Sequence, residues 1–124
     1  TSFGWASARL DDIANFIPAR FTALLICLTA IVIPSTKGFR ALKAVFNDAN
    51  QHRSVNAGWP EAAMAGALDI RLAGPRVYEG VPVDGPWMGS GNPNLSANDI
   101  NRSLRLYLAS NISSTLILML FLFI

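Results

Sequence analysis

One cysteine and one histidine in 124 residues remove two large classes of chemistry at the outset. Cys27 has no second thiol in the chain to pair with, and the usual zinc constellations cannot be assembled. Charge is scarce as well, at 15% of residues with a net charge of +2, and no basic run is interleaved with aromatics. Nucleic acid is therefore not an expected partner. No Gly-x-Ser-x-Gly elbow supports serine hydrolysis. "STKGF" lacks the glycine spacing of a phosphate loop, and the Gly89–Gly91 triplet is too short to count as one. The Asn-x-Ser triplets at Asn94, Asn101 and Asn111 read as chance, and no internal repeat is evident.

What is plentiful is apolar surface, 52% of the chain, much of it in two blocks. The first, residues 13–34, carries a single charge, Arg20, and ends at Pro34. The second, residues 106–124, carries none. A membrane-crossing helix needs about 20 mostly apolar residues, so both qualify. Two such helices in so short a chain would leave too little polypeptide to cover them. The predicted class is therefore a mainly α integral membrane protein, multi-pass in the cell membrane, with lipid as a partner. Lys37, Arg40 and Lys43 follow the first block, and Arg102 and Arg105 precede the second. That bias places residues 35–105 on the cytoplasmic side. The chain opens without a methionine and stops inside an apolar run, which suggests one membrane domain that is part of a longer protein.

Between the blocks, Phe39, Leu42, Val45, Phe46 and Ala49 recur at helical spacing, which predicts an amphipathic helix from Gly38 to His52 lying on the membrane or on the spans. On it Asp48 and His52, four apart, would share a face. Gly58 and Pro60 then break the chain before a short small-residue helix, "EAAMAGAL", whose alanines and glycine allow close approach of another helix or a flat ligand. Two extended pieces around Gly74–Pro75 suggest a small β-hairpin. Residues 81–94, dense in glycine and proline, read as loop. Ser96 with Asp99 marks a capping box, from which a continuous helix should run to the end.

Each polar residue left over has a bland reading. Asp11 and Asp12 suit a helix start, and Glu61 suits a first turn. Arg20 is the exception, because a charge within a span is costly and usually faces protein. If residues 13–34 span fully, Asp11 and Asp12 lie opposite His52, unless the segment is re-entrant or broken near Pro18.

The order "ARLDDIANFIPAR", "DANQHRSVNAGWPEAAMAGALDIRLAGP", "GPWMG" closely resembles the C-terminal part of the adenosylcobinamide-phosphate synthase family (CobD/CbiB), from about Ala8 to Gly89. Val55 stands where that family usually has proline, and the family's N-terminal membrane segments are not in this sequence. The resemblance implies an amide-forming ligase of cobalamin biosynthesis. It would join the free propionate of adenosylcobyric acid to aminopropanol or its phosphate, using ATP and magnesium but no tightly bound cofactor. It also implies a set of roles. Glu61 or Asp48 would hold magnesium, and His52 would take the proton of the attacking ammonium. Arg20, Lys37 and Arg40 would steady phosphate charge. Asn56 and Trp59 would contact the corrinoid substrate, and the small-residue helix would let that bulky ring approach closely. Asp11, Asp12 and Asn15 belong to the family motif without an assigned role.

Two rival classes are weaker. A non-catalytic signalling relative should lack the His-to-Glu motif, which is intact here. A transporter half should show paired broken helices.

Overall fold

In the computed structural model, which describes residues 2–124 and side chains from Gly4 onward, the first apolar block belongs to a longer helix. α1 runs unbroken from Ser2 to Val32 and continues through Pro18. Asp11 and Asp12 therefore sit inside a helix and do not start one. α2 (Gly38–Asp48) is followed by a single 3-10 turn, Ala49–Gln51, and α3 covers Gly58–Leu68. Four short strands come next: β1 (Leu72–Ala73), β2 (Arg76–Tyr78), β3 (Val81–Val83) and β4 (Trp87–Met88). α4 runs from Ala97 to Leu122.

α2 and α3 form a hairpin that folds back along α1. At one end the Lys37 N–H donates to the carbonyl of Ala67 at 2.8 Å, and Gly38 lies so close to α1 that a Cβ would come within 2.8 Å of the Cys27 carbonyl oxygen. At the other end the Asn56 amide reaches the carbonyl of Asp12 at 2.9 Å. Asp12 and Val32 are about 30 Å apart along α1 at 1.5 Å per residue. The hairpin thus runs beside α1 and brings the His52 region level with Asp12, although α1 has no break. Close approach explains the composition: Ala41, Ala62, Ala63, Ala65 and Ala67 are all fully buried, and a Cβ on Gly66 would lie 2.6 Å from Ala41 Cα. Small residues let helix backbones meet without a large hydrophobic core.

That packing corrects one expectation and refines another. The small-residue face of α3 is covered by α1 and α2, so no flat ligand can lie on it. On α2 the buried stripe is Gly38, Ala41, Ala44 and Val45, while Phe39 and Phe46 point outward at 80% and 75% exposure. The apolar period was visible in the sequence, but the face that packs is the one with the small side chains.

Large apolar residues lie outside elsewhere too, including Ile17, Leu24, Leu28 and Ile31 on α1 and Leu116 to Phe123 around the end of α4. α1, from Gly4, and α4 are both long and apolar enough to cross a membrane. They lie antiparallel: Arg102 donates to the carbonyl of Ser35 at 3.1 Å, and further along Tyr107 and Ser110 share a recess with Ile26 and Phe21. α4 begins as its sequence predicts, with the Ser96 N–H donating to the Asp99 carboxylate at 2.9 Å and the reciprocal capping bond present.

The hairpin of strands is displaced from the expected position. β2 pairs antiparallel with β3, Tyr78 opposite Val81, around Glu79 and Gly80, both at positive φ. Such a two-residue turn matches the natural strand twist. Gly74 instead gives the Trp87 ring room to lie against the backbone, where a Cβ would be 2.6 Å from the indole. β3 and β4 fall in the segment read as loop, and β4 pairs with β1.

Candidate functional site

Two polar groups flank the α2–α3 hairpin. The first gathers where the chain turns from the 3-10 turn into α3. His52 leaves the helical region (φ −68°, ψ 143°), so Asp48 and His52 do not share a helix face as their spacing suggested. The Nδ1 of His52 accepts the Ser54 N–H at 2.9 Å, which places the ring proton on Nε2. Nε2 lies 3.3 Å from Glu61 Oε2. The pair thus brings an imidazole nitrogen within ion-pair distance of a carboxylate, while the other ring nitrogen is held by the Ser54 N–H. Its side chains are largely but not fully enclosed, at 16% and 28% exposure.

Gly58 makes this approach possible. A Cβ there would collide with the Ala49 carbonyl and come within 2.7 Å of His52 Cβ. The start of α3 can therefore press against the turn that carries the histidine.

Next to this pair, Arg20 lies between two aromatic rings, its Cζ 3.4 Å from the Phe16 centroid and 4.4 Å from that of Trp59. Its Nη1 donates to the Phe16 carbonyl at 2.7 Å and to Asn56 Oδ1 at 3.3 Å. Asn56 is 8% exposed, and both ends of its amide are engaged, by Arg20 and by Asp12. It braces α1 against the turn. The Trp59 Nε1 is buried without a partner among the described residues. Asp11 accepts from the Asn15 side chain at 3.0 Å, an exposed contact within α1.

The expectation that Arg20 faces protein agrees with these contacts, and it carries a prediction. Arg20→Leu would strand the buried Asn56 carbonyl, a loss of about 1–3 kcal/mol. Membrane insertion should be unchanged. Arg20→Lys should recover little, because an ammonium cannot reproduce the planar stack. Thermal unfolding in detergent, read beside membrane fractionation, measures both, and a raised melting temperature in Arg20→Leu would show a merely tolerated charge.

The second group lies toward the other end of the hairpin, where α2 starts and α3 ends. Lys37 reaches Asp69 at 2.8 Å, and Arg40 pairs with the other oxygen of the same carboxylate. The Lys37 hydrogen bond, ahead of the two nearby positive charges, holds the Asp69 carboxyl below its usual range. Asp69 closes α3 in the left-handed conformation (φ 57°, ψ 45°). It was not singled out from the sequence, where a lone acid after "AGAL" gives no sign of two cations from α2. Asp48 belongs to this group as well, since one of its oxygens accepts the Gly89 N–H at 2.9 Å.

For magnesium, no group of three or more His, Cys, Asp or Glu residues is gathered among the described residues. Magnesium is commonly held through one or two carboxylates together with substrate phosphates. Glu61, a single carboxylate that is partly exposed, fits that arrangement.

A family model described as "CobD/Cbib protein" matches residues 1–107. The chain is 48% identical over 116 residues to a protein named cobalamin biosynthesis protein CobD from Rhodobacter capsulatus, covering 94% of this chain and 35% of that protein. It is 46% identical to the protein of the same name from Klebsiella pneumoniae, covering 93% and 36%. A protein named CbiB from Salmonella paratyphi B is 43% identical over 97% of this chain and 36% of its own length. The chain thus spans about a third of the length of these curated relatives. No solved structure matches. With the family model matched across residues 1–107, and with Asn56 joined to Asp12 and Arg20 while His52 meets Glu61, the chain belongs to the CobD/CbiB family.

Proposed function

We propose that the chain forms part of a multi-pass membrane enzyme of cobalamin biosynthesis that ligates aminopropanol phosphate to the free propionate of adenosylcobyric acid. Relatives named for cobalamin biosynthesis support the pathway. The His52–Glu61 pair, fixed by the Ser54 N–H, is the observation that carries the reaction type.

An amide does not form spontaneously from a carboxylate and an ammonium in water, so the propionate is first activated by ATP as an acyl phosphate. The ammonium then loses a proton, the free amine attacks the acyl carbon, and the carbon–oxygen bond to phosphate breaks. In this reading Glu61 takes the proton, and His52, whose Nε2 lies 3.3 Å from the carboxylate, supports it from one side. This shifts the base from the histidine, whose lone pair is occupied, to the acid. Magnesium, held by Glu61 and the nucleotide, would neutralise phosphate charge. Arg20 uses only Nη1 in its hydrogen bonds among the described residues, so its other donors remain for an anionic group.

In this proposal the ends of α1 and α4 that meet at Ser35 and Arg102 face the cytoplasm, where ATP is found. The α2–α3 hairpin runs back beside α1 from that end and forms one wall of a polar recess level with Asp12. Lipid covers the outward Leu and Phe side chains of α1 and α4. The test is amide formation by the full-length protein in lipid nanodiscs, supplied with adenosylcobyric acid, aminopropanol phosphate, ATP and magnesium. The expected product is adenosylcobinamide phosphate, formed only when ATP is present. Absence of product from all supplied amines would overturn the reading.

A further inference from the structure

The second polar group encloses a cavity of about 230 Å³ between α2, the end of α3 and the Gly89–Gly91 loop. Lys43, Arg40, Asp48, Asp69 and Ser90 line it. Its volume lies below the roughly 300–1,000 Å³ common for drug-sized ligands, so its occupant is small.

The loop is a built wall. Gly89 has φ +82°, and a Cβ on it would lie 2.6 Å from the Ile70 carbonyl oxygen. A Cβ on Gly91 would collide with the backbone of Asp69. The Gly89 N–H is held by Asp48, and the Asn92 N–H donates to the Asp69 carbonyl at 3.1 Å. Between these ties, the N–H groups of Ser90 and Gly91 have no acceptor among the described residues.

The charges are unequal. Asp69 is shared by Lys37 and Arg40, while Lys43 forms no ion pair among the described residues. Asp48 uses one oxygen on Gly89 and keeps the other free. Three cations against two carboxylates leave one positive charge over. A phosphate monoester carrying an ammonium has a net charge between about −0.5 and −1 near neutrality, which complements that excess.

We propose that this cavity binds a small phosphate monoester that also carries an ammonium group. The phosphate sits against Lys43, Arg40 and the loop N–H groups, and the ammonium sits against the free oxygen of Asp48. The assignment rests on the ligase reading above, and it places the amine substrate further along α3 than the His52–Glu61 pair, since Glu61, Ala65 and Asp69 recur four apart and the last two line the cavity. The amine end then has to be presented to the corrinoid from the Asp48 end of the cavity.

Calorimetric binding to the full-length protein in nanodiscs, without corrinoid, tests the site with four probes: aminopropanol phosphate, aminopropanol, inorganic phosphate and ATP. Lys43→Ala should weaken aminopropanol phosphate and inorganic phosphate about tenfold each and leave aminopropanol unchanged. Asp48→Asn keeps an acceptor for the Gly89 N–H and should weaken aminopropanol phosphate but not inorganic phosphate. Ser90→Asp, on the exposed rim, should weaken both phosphate compounds without disturbing the core. Equal affinity across all three variants overturns the proposal. So does an equal loss for ATP in competition with aminopropanol phosphate, which would mark a nucleotide site. The expected binding pattern with no amide formed would leave the cavity standing and remove the ligase. Amide formation with an unchanged KM for aminopropanol phosphate in Lys43→Ala and Ser90→Asp would do the reverse.

Discussion

Glu61→Gln should give a folded, membrane-inserted protein that forms amide at least about 100-fold more slowly. The substitution nearly preserves shape and keeps a polar side chain beside His52 Nε2, which lies 3.3 Å from Glu61 Oε2 in the native pair. Glu61 lies in the first turn of α3, where a carboxylate favours the helix dipole by only about 0.3–1 kcal/mol. A helix-start role therefore predicts a small change in stability and little change in rate. A proton acceptor or magnesium ligand predicts the opposite, because the amide can neither hold the proton nor bring a negative charge. Single-turnover rates on the full-length variant, beside its unfolding curve, separate the two. Near-normal turnover would leave Glu61 as a structural acid and remove the centre of the proposed mechanism.

Replacing Gly58 by alanine should be destabilising even though alanine is the better helix former. Propensity favours alanine within a helix by about 0.8–1.0 kcal/mol. Against this, the added methyl would meet the Ala49 carbonyl and lie 2.7 Å from His52 Cβ. Backbone cannot yield as a flexible side-chain tip can, so α3 or the 3-10 turn must shift. Overpacking of this kind costs about 1–3 kcal/mol, which outweighs the propensity gain. The shift would also separate His52 from Glu61, so amide formation should fall together with the unfolding midpoint. A Gly58→Ala protein with raised stability and unchanged rate would show that the turn relaxes freely and that the His52–Glu61 approach does not depend on the glycine. Expression level is a poor substitute for these measurements, since the chaperone load of a membrane protein can hide a loss of this size.

The amino-acid sequence alone determined those features that arise from neighbours along the chain. Two apolar blocks marked the helices that can cross a membrane, and Ser96 with Asp99 marked the start of α4 three residues apart. "EAAMAGAL" announced a helix that packs closely, because small side chains have few other uses in so apolar a chain. The His-to-Glu segment stood out as polar chemistry between apolar blocks, and two of its members do meet. Tertiary structure decided what depends on the chain folding back on itself. Asn56 finds Asp12 and Arg20 across gaps of 44 and 36 residues, and Asp69 finds Lys37 across 32. Asp48 left the histidine for the Gly89 N–H because the helix tightened into a 3-10 turn where the period predicted another turn of α-helix. Hydrophobic spacing fixes which residues share a stripe, but not which stripe a neighbour covers. On α2 close packing selected Gly38, Ala41, Ala44 and Val45 over the phenylalanines, since only small side chains let α1 and α3 approach from both sides.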